Sequence, residues 1–136
     1  MKKILLVEDK PFYRKVMEYI LIKEGYEVVS CSSGDEALNH LGKAGFLLVV
    51  TDYRMGRVSG LDVAKAAASS DPPIPVFVVT AYSDILIRGL AGKEVTRVFN
   101  KPISLTALFD AIKTIETSSP PRRADGQPSY SKGGHR

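Results

Sequence analysis

Three unbroken apolar runs constrain this chain more than any other feature: "ILLV" at residues 4–7, "FLLVV" at 46–50 and "VFVV" at 76–79. Each has the length of a strand, and none alternates with polar residues as a strand with one wet face would. Strands buried on both sides read this way, and such a sheet needs helices above and below it.

The stretches between them supply those helices. Residues 3–8 read as a first strand, and 11–24 as a helix carrying Phe12, Val16 and Ile20 at i, i+4 spacing and ending at Gly25. Tyr26 to Ser30 reads as a second strand. Ser33 opens a helix with Glu36 three residues on, a capping-box pattern, and Gly42 closes it. A third strand at 46–51 is followed by an alanine-rich helix at 60–69, stopped by "DPP". A fourth strand spans Val76 to Thr80, a short helix Asp84 to Ala91, and a fifth strand Val95 to Asn100. The last helix starts near Ser104, with Leu105, Leu108, Phe109, Ile112 and Ile115 along one face. A βα unit repeated in this way predicts a three-layer, doubly wound α/β sandwich around a parallel sheet.

The chain has 136 residues, enough for one domain with a sizeable core. The expected domain is 1–116. The remainder, 117–136, is rich in Pro, Gly and Ser, has no apolar period, and reads as a disordered basic tail or linker. Most of the net charge of +4 sits there, in Arg122, Arg123, Lys132 and Arg136. A basic nucleic-acid-binding domain is therefore not indicated. The only cysteine, Cys31, allows no internal disulfide and fits a reducing, cytoplasmic setting. No apolar run approaches the ~20 residues of a membrane helix. His40 and His135 belong to no metal-ligand pattern.

In open parallel sheets, ligands bind at the carboxyl ends of the strands. There stand Glu8 and Asp9, Asp52, Thr80 and Lys101. Bare carboxylates gathered at one edge repel, by about 4 kcal/mol for each pair ~4 Å apart at an effective dielectric near 20. An all-oxygen acidic cluster suits Mg²⁺, and a lysine and a hydroxyl beside it suit a phosphoryl group carried on a carboxylate. Each residue alone has a plainer reading: acids complement a helix start, Thr80 caps a segment, and Lys101 is a solvated lysine before a turn.

Taken together and in order, these residues carry a family resemblance. "LLVED", "VVTDYRM", "VVTA" and "FNKPI" resemble the receiver domain of two-component response regulators, a flavodoxin-like fold of the CheY type. The likeness covers residues 3 to about 116 and implies a parallel sheet of strand order 2-1-3-4-5. It implies that Asp52 takes a phosphoryl group from a phosphohistidine on a sensor histidine kinase or phosphotransfer protein. Glu8, Asp9, Asp52 and the backbone carbonyl of Arg54 would hold Mg²⁺, or Mn²⁺ in its place, with Glu8 acting mainly through a metal-bound water. Lys101 and Thr80 would contact the phosphoryl oxygens, and a cis bond before Pro102 would aim the lysine. Partners, a downstream protein or a second copy in a homodimer, would dock on a face built from residues 84–91, 95–100 and 104–116. Small-molecule turnover, membrane insertion and direct nucleic-acid binding are not implied.

The sequence departs from that pattern in places. Many receivers carry an aromatic residue three positions before the lysine; here it is Val98, and strand alternation turns Phe99 the other way. Gly56 replaces a frequent proline. Arg54 and Tyr82 occupy positions that tune dephosphorylation in the family. Val98 keeps a rival open, a phosphorylation-independent scaffold acting through the same docking face. A flavin or dinucleotide enzyme is disfavoured, because "VEDKPFYR" lacks a glycine-rich phosphate loop. A metal-dependent phosphatase of the most familiar pattern would need an acid where Arg54 stands.

Overall fold

The structure, a computed structural model, describes residues 2–43, 45–81 and 94–118. Its elements run β1 (Lys3–Val7), α1 (Pro11–Lys23), β2 (Glu27–Cys31), α2 (Gly34–Leu41), β3 (Phe46–Asp52), α3 (Gly60–Ala68), β4 (Val76–Thr80), β5 (Arg97–Asn100) and α4 (Leu105–Ser118). The helix expected over 84–91, Tyr82 and the tail beyond Ser118 lie outside the described residues. The strands form one parallel sheet of order β2-β1-β3-β4-β5, as anticipated.

Alternation along each strand divides the core in two. Ile4, Leu6, Leu48, Val50, Phe77, Val79 and Phe99 point to the side where α1 and α4 pack, meeting Leu21, Leu108 and Ile112. Leu5, Val7, Val49, Val76 and Val78 point to the side of α2 and α3, meeting Ala37, Val63, Ala64 and Ala67. Successive strand residues thus serve opposite layers, which is why the runs lack polar interruptions.

The helix starts differ. Ser59 accepts from the Asp62 amide, while the Asp62 carboxylate accepts from the Ser59 amide, a complete capping box for α3. At α2 the Ser33 hydroxyl accepts from the Glu36 amide, but the Glu36 carboxylate turns to the Ser32 amide and hydroxyl. Pro11 opens α1, where a missing amide costs nothing, and Lys10 offers no side-chain cap. Gly25, at φ +101°, follows that helix in a conformation other residues resist.

The row Phe12, Val16 and Ile20 is not the packing face of α1. Leu21 is fully buried and Met17 packs on the same core, whereas Phe12 is 72% exposed and Tyr19 63%. The helical period permits two apolar rows here, and the one centred on Leu21 meets the sheet. In α4 the expected face holds at Leu108 and Ile112, with Leu105 partly outside. Cys31 is buried on the edge strand, and burial pushes its thiol up to about 12.

Candidate functional site at the carboxyl edge of the sheet

β1 and β3 are neighbours whose register pairs Val7 with Thr51, so the residues that follow, Glu8 and Asp52, stand side by side at the carboxyl edge of the sheet. Both continue the alternation of Leu6 and Val50, which places them on the α1–α4 side. Asp9 follows Glu8 and is exposed. One carboxylate oxygen from each of Glu8, Asp9 and Asp52 lies within 4.8 Å of the others.

Lys101 enters from β5. Its amide donates to the Thr80 carbonyl at 2.8 Å, and its Nζ lies 3.3 Å from Asp52 Oδ1 and 3.4 Å from Glu8 Oε1. The Lys101–Pro102 peptide is cis. Thr80 is buried at the end of β4, but its parity is that of Val78, and so it lies toward the α2–α3 side. Val98 shares that side, and Phe99 is buried on the other, as alternation required.

Glu8 and Asp52 are both buried, and this decides their electrostatics. Burial pushes the Asp52 carboxyl above its ordinary range, against the pull of the Lys101 ammonium and the Tyr53 amide. Glu8 is likewise raised by burial and by the Asp52 charge, although the Lys10 amide, donating to Oε2 at 3.1 Å, favours its ionised form. For Lys101 burial acts downward, but the two carboxylates outweigh it and raise the ammonium's pKa. One lysine thus serves two desolvated carboxylates, and a third acid stands at the rim. The donor set is oxygen only, short of positive charge and open on the Asp9 side, which fits Mg²⁺.

Three features of the site were not foreseen from sequence. The Arg14 guanidinium donates to the Glu8 carbonyl at 2.8 Å and ties α1 to the end of β1. The Tyr13 ring stands 5.4 Å from Lys101 Nζ. Gly60 lets α3 start against the backbone of Asp52 and Tyr53: a Cβ there would meet the Asp52 carbonyl oxygen and lie 3.0 Å from Tyr53 Cα. A glycine at a helix start is the one sequence signal that could have revealed the last. A cavity of about 640 Å³ opens beside the site, floored by Leu6, Val50 and Val79 and walled by Met17 and Ile103. Arg54 is exposed in the connection after β3.

Comparison with known proteins agrees with this geometry. Residues 4–113 match the family model of the response regulator receiver domain. The chain belongs to that family. It is a receiver domain of two-component signalling and not a small-molecule enzyme. Curated relatives include the transcriptional regulatory protein GlrR of Escherichia coli, 34% identical over 119 residues, which cover 86% of this chain and 27% of that protein. The receiver protein CpdR of Brucella abortus is 29% identical over 114 residues, covering 83% of this chain and 95% of that one. This receiver therefore spans about a quarter of GlrR but nearly all of CpdR. Among solved structures, a receiver domain from Clostridium thermocellum superposes with a TM-score of 0.80 at 27% identity, covering 86% of this chain and 95% of that one. The response regulator TrrA of Thermotoga maritima, solved in complex with Mg²⁺-BeF, gives 0.76 at 30% identity, covering 85% and 99%. Among the described residues no helix is long and apolar enough to cross a membrane.

Proposed function

We propose that this receiver is a phosphorylation switch in which Asp52 takes a phosphoryl group from a phosphohistidine on a sensor histidine kinase or phosphotransfer protein. The observation that carries the reading is a buried Asp52 joined to Lys101 at 3.3 Å within an acidic cluster. An Asp52 carboxylate oxygen forms the new P–O bond as the donor's P–N bond breaks, and the imidazole nitrogen keeps the electron pair. Such transfer asks for in-line positioning and charge stabilisation more than for covalent help. Lys101 supplies a fixed ammonium to the phosphoryl oxygens, and the Thr80 hydroxyl a further donor once it turns toward them. Mg²⁺, or Mn²⁺, held by Glu8, Asp9, Asp52 and the Arg54 carbonyl would supply the remaining charge neutralisation. Glu8 would act on that ion mainly through a bound water. Pro102 orients Lys101, and Arg54 and Tyr82 tune the lifetime of the product.

The product carries added negative charge and strong acceptors on one spot, and this biases a docking face that includes residues 95–100 and 104–116. The third part of that face, 84–91, lies outside the described residues. The receiver unit is 1–116, with 117–136 as a tail, in a cytoplasmic setting consistent with the single free thiol. Val98, which removes the usual switch aromatic, favours one second reading: a scaffold that uses the docking face without phosphorylation.

Intact-protein mass spectrometry after incubation with acetyl phosphate and Mg²⁺ separates the two. A labile gain of one phosphoryl group, absent without Mg²⁺ and in Asp52→Ala, is the expected result. No gain in protein that binds Mg²⁺, with detection fast enough for short-lived species, would favour the scaffold.

A further inference from the structure

Among the described residues, the aromatic ring beside Lys101 comes from α1, not from β5. Val98 packs with the α2–α3 core, and Phe99 is turned into the α1–α4 core. In the first turn of α1, the Tyr13 ring centroid lies 5.4 Å from Lys101 Nζ, within the ~6 Å over which an aromatic face attracts a cation. The ring is braced by Phe12, with centroids 5.7 Å apart and planes at 70°. It also borders the cavity that reaches Glu8, Asp52 and Lys101.

The ammonium of Lys101 has three N–H donors. Asp52 Oδ1 and Glu8 Oε1 take two directions, and the Tyr13 ring covers a further side. From this geometry we infer that Tyr13 is a positioning residue for phosphoryl transfer, its ring holding the Lys101 ammonium at the site edge where phosphoryl oxygens arrive. The inference rests on the reading of Asp52 as phosphoacceptor. As the P–O bond to Asp52 forms and the donor's P–N bond breaks, Lys101 keeps its proton and shifts hydrogen bonds from carboxylate to phosphoryl oxygens. A lysine stem is flexible, and its compact ammonium is strongly hydrated. Without the ring it spends more time in solvent, and fewer encounters find it in place.

The test uses the full chain and the rate of phosphorylation by acetyl phosphate with Mg²⁺. Tyr13→Leu is expected to slow it by about 2- to 5-fold, the size of a partly exposed cation–π contact. Tyr13→Phe, which keeps the ring, is expected to restore the rate. In a Lys101→Ala background, Tyr13→Leu is expected to change nothing more, because the effect passes through the lysine. A second readout needs no phosphorylation: the ring-current shift of the Lys101 ε-methylene protons, present in wild type and Tyr13→Phe and lost in Tyr13→Leu. Equal rates for wild type and Tyr13→Leu, an undiminished effect in the Lys101→Ala background, or Lys101 protons unshifted in wild type would overturn the inference while leaving the phosphoacceptor reading intact. A wild-type chain that takes no phosphoryl group overturns that reading, and the role of Tyr13 with it.

Discussion

On one face of the sheet, α2 and α3 lie close on small residues, Ala37, Ala64 and Ala67, with Gly60 against the backbone of Asp52. On the other, α1 keeps only Leu21 fully buried, leaves Phe12, Tyr13, Tyr19 and Ile22 largely exposed, and borders a cavity of about 640 Å³ near the acidic site. Asp52 belongs to both: its backbone is gripped from the α3 side and its carboxylate opens toward α1. A nucleophile must be held to a fraction of an ångström and still be reached, and the two faces divide those tasks. The contrast also predicts where the molecule tolerates change.

The largest effect is expected at the one α1 residue that is fully buried. Leu21→Ala removes a fully buried side chain among Ile4, Tyr26 and Ile112 and should cost about 2–5 kcal/mol, read from urea unfolding monitored by circular dichroism. A loss below about 1 kcal/mol would mean that α1 collapses onto the gap, and that the loose face extends to the core itself.

Gly60→Ala probes the tight face. The added methyl would press on the Asp52 carbonyl, and that oxygen is backbone, which cannot swing aside. Overpacking of this kind costs about 1–3 kcal/mol. It should also slow phosphorylation of Asp52, because the carboxylate moves with its own backbone. Loss of stability with an unchanged rate would show that the α3 start bears on folding only.

Much of this was legible beforehand. The apolar runs gave a covered parallel sheet because residues 4–7 and 76–79 have no polar side to turn outward, and the strand ends then named Glu8, Asp52, Thr80 and Lys101. Val98 and Phe99 fell on opposite faces as alternation demanded. What could not be read was the third dimension at the helices. The row Phe12, Val16 and Ile20 has the right period, but Leu21, in the neighbouring row, is what reaches the sheet. Nor could spacing reveal that Tyr13 and Lys101 meet, since 88 positions separate them and only the order β2-β1-β3-β4-β5 brings their elements together.

A third test concerns pH. Burial raises the carboxyls of Asp52 and Glu8 in the folded chain above their ordinary values. For such groups the folded state binds protons more tightly than the unfolded one. Their ionised forms therefore cost stability at neutral pH, and the cost is relieved as pH falls through the raised values toward the ordinary carboxylate range. In EDTA, mild acidification from neutrality should raise the unfolding midpoint, and Asp52→Asn should blunt that rise. A midpoint that falls from pH 7 downward, and falls more in wild type than in Asp52→Asn, would mean that the Lys101 pairing outweighs burial at this site. Lys101 acts in the same sense at higher pH: its raised pKa gives stability that is complete below its ordinary value and is lost as pH climbs through the raised one.

The smallest effect is expected at an aromatic residue of the apolar row that does not reach the sheet. Phe12→Ser removes an aromatic side chain that is 72% exposed, so unfolding in urea should shift by no more than about 0.5 kcal/mol, against the much larger loss at Leu21 nine residues along the same helix. It makes an edge-on contact with the Tyr13 ring at 5.7 Å. If the two faces differ as described, Phe12→Ser leaves the fold unaltered and shows itself, if anywhere, in the rate of Asp52 phosphorylation through a less constrained Tyr13. A destabilisation above about 1 kcal/mol would place Phe12 in the core, and α1 would then be as firmly seated as α3.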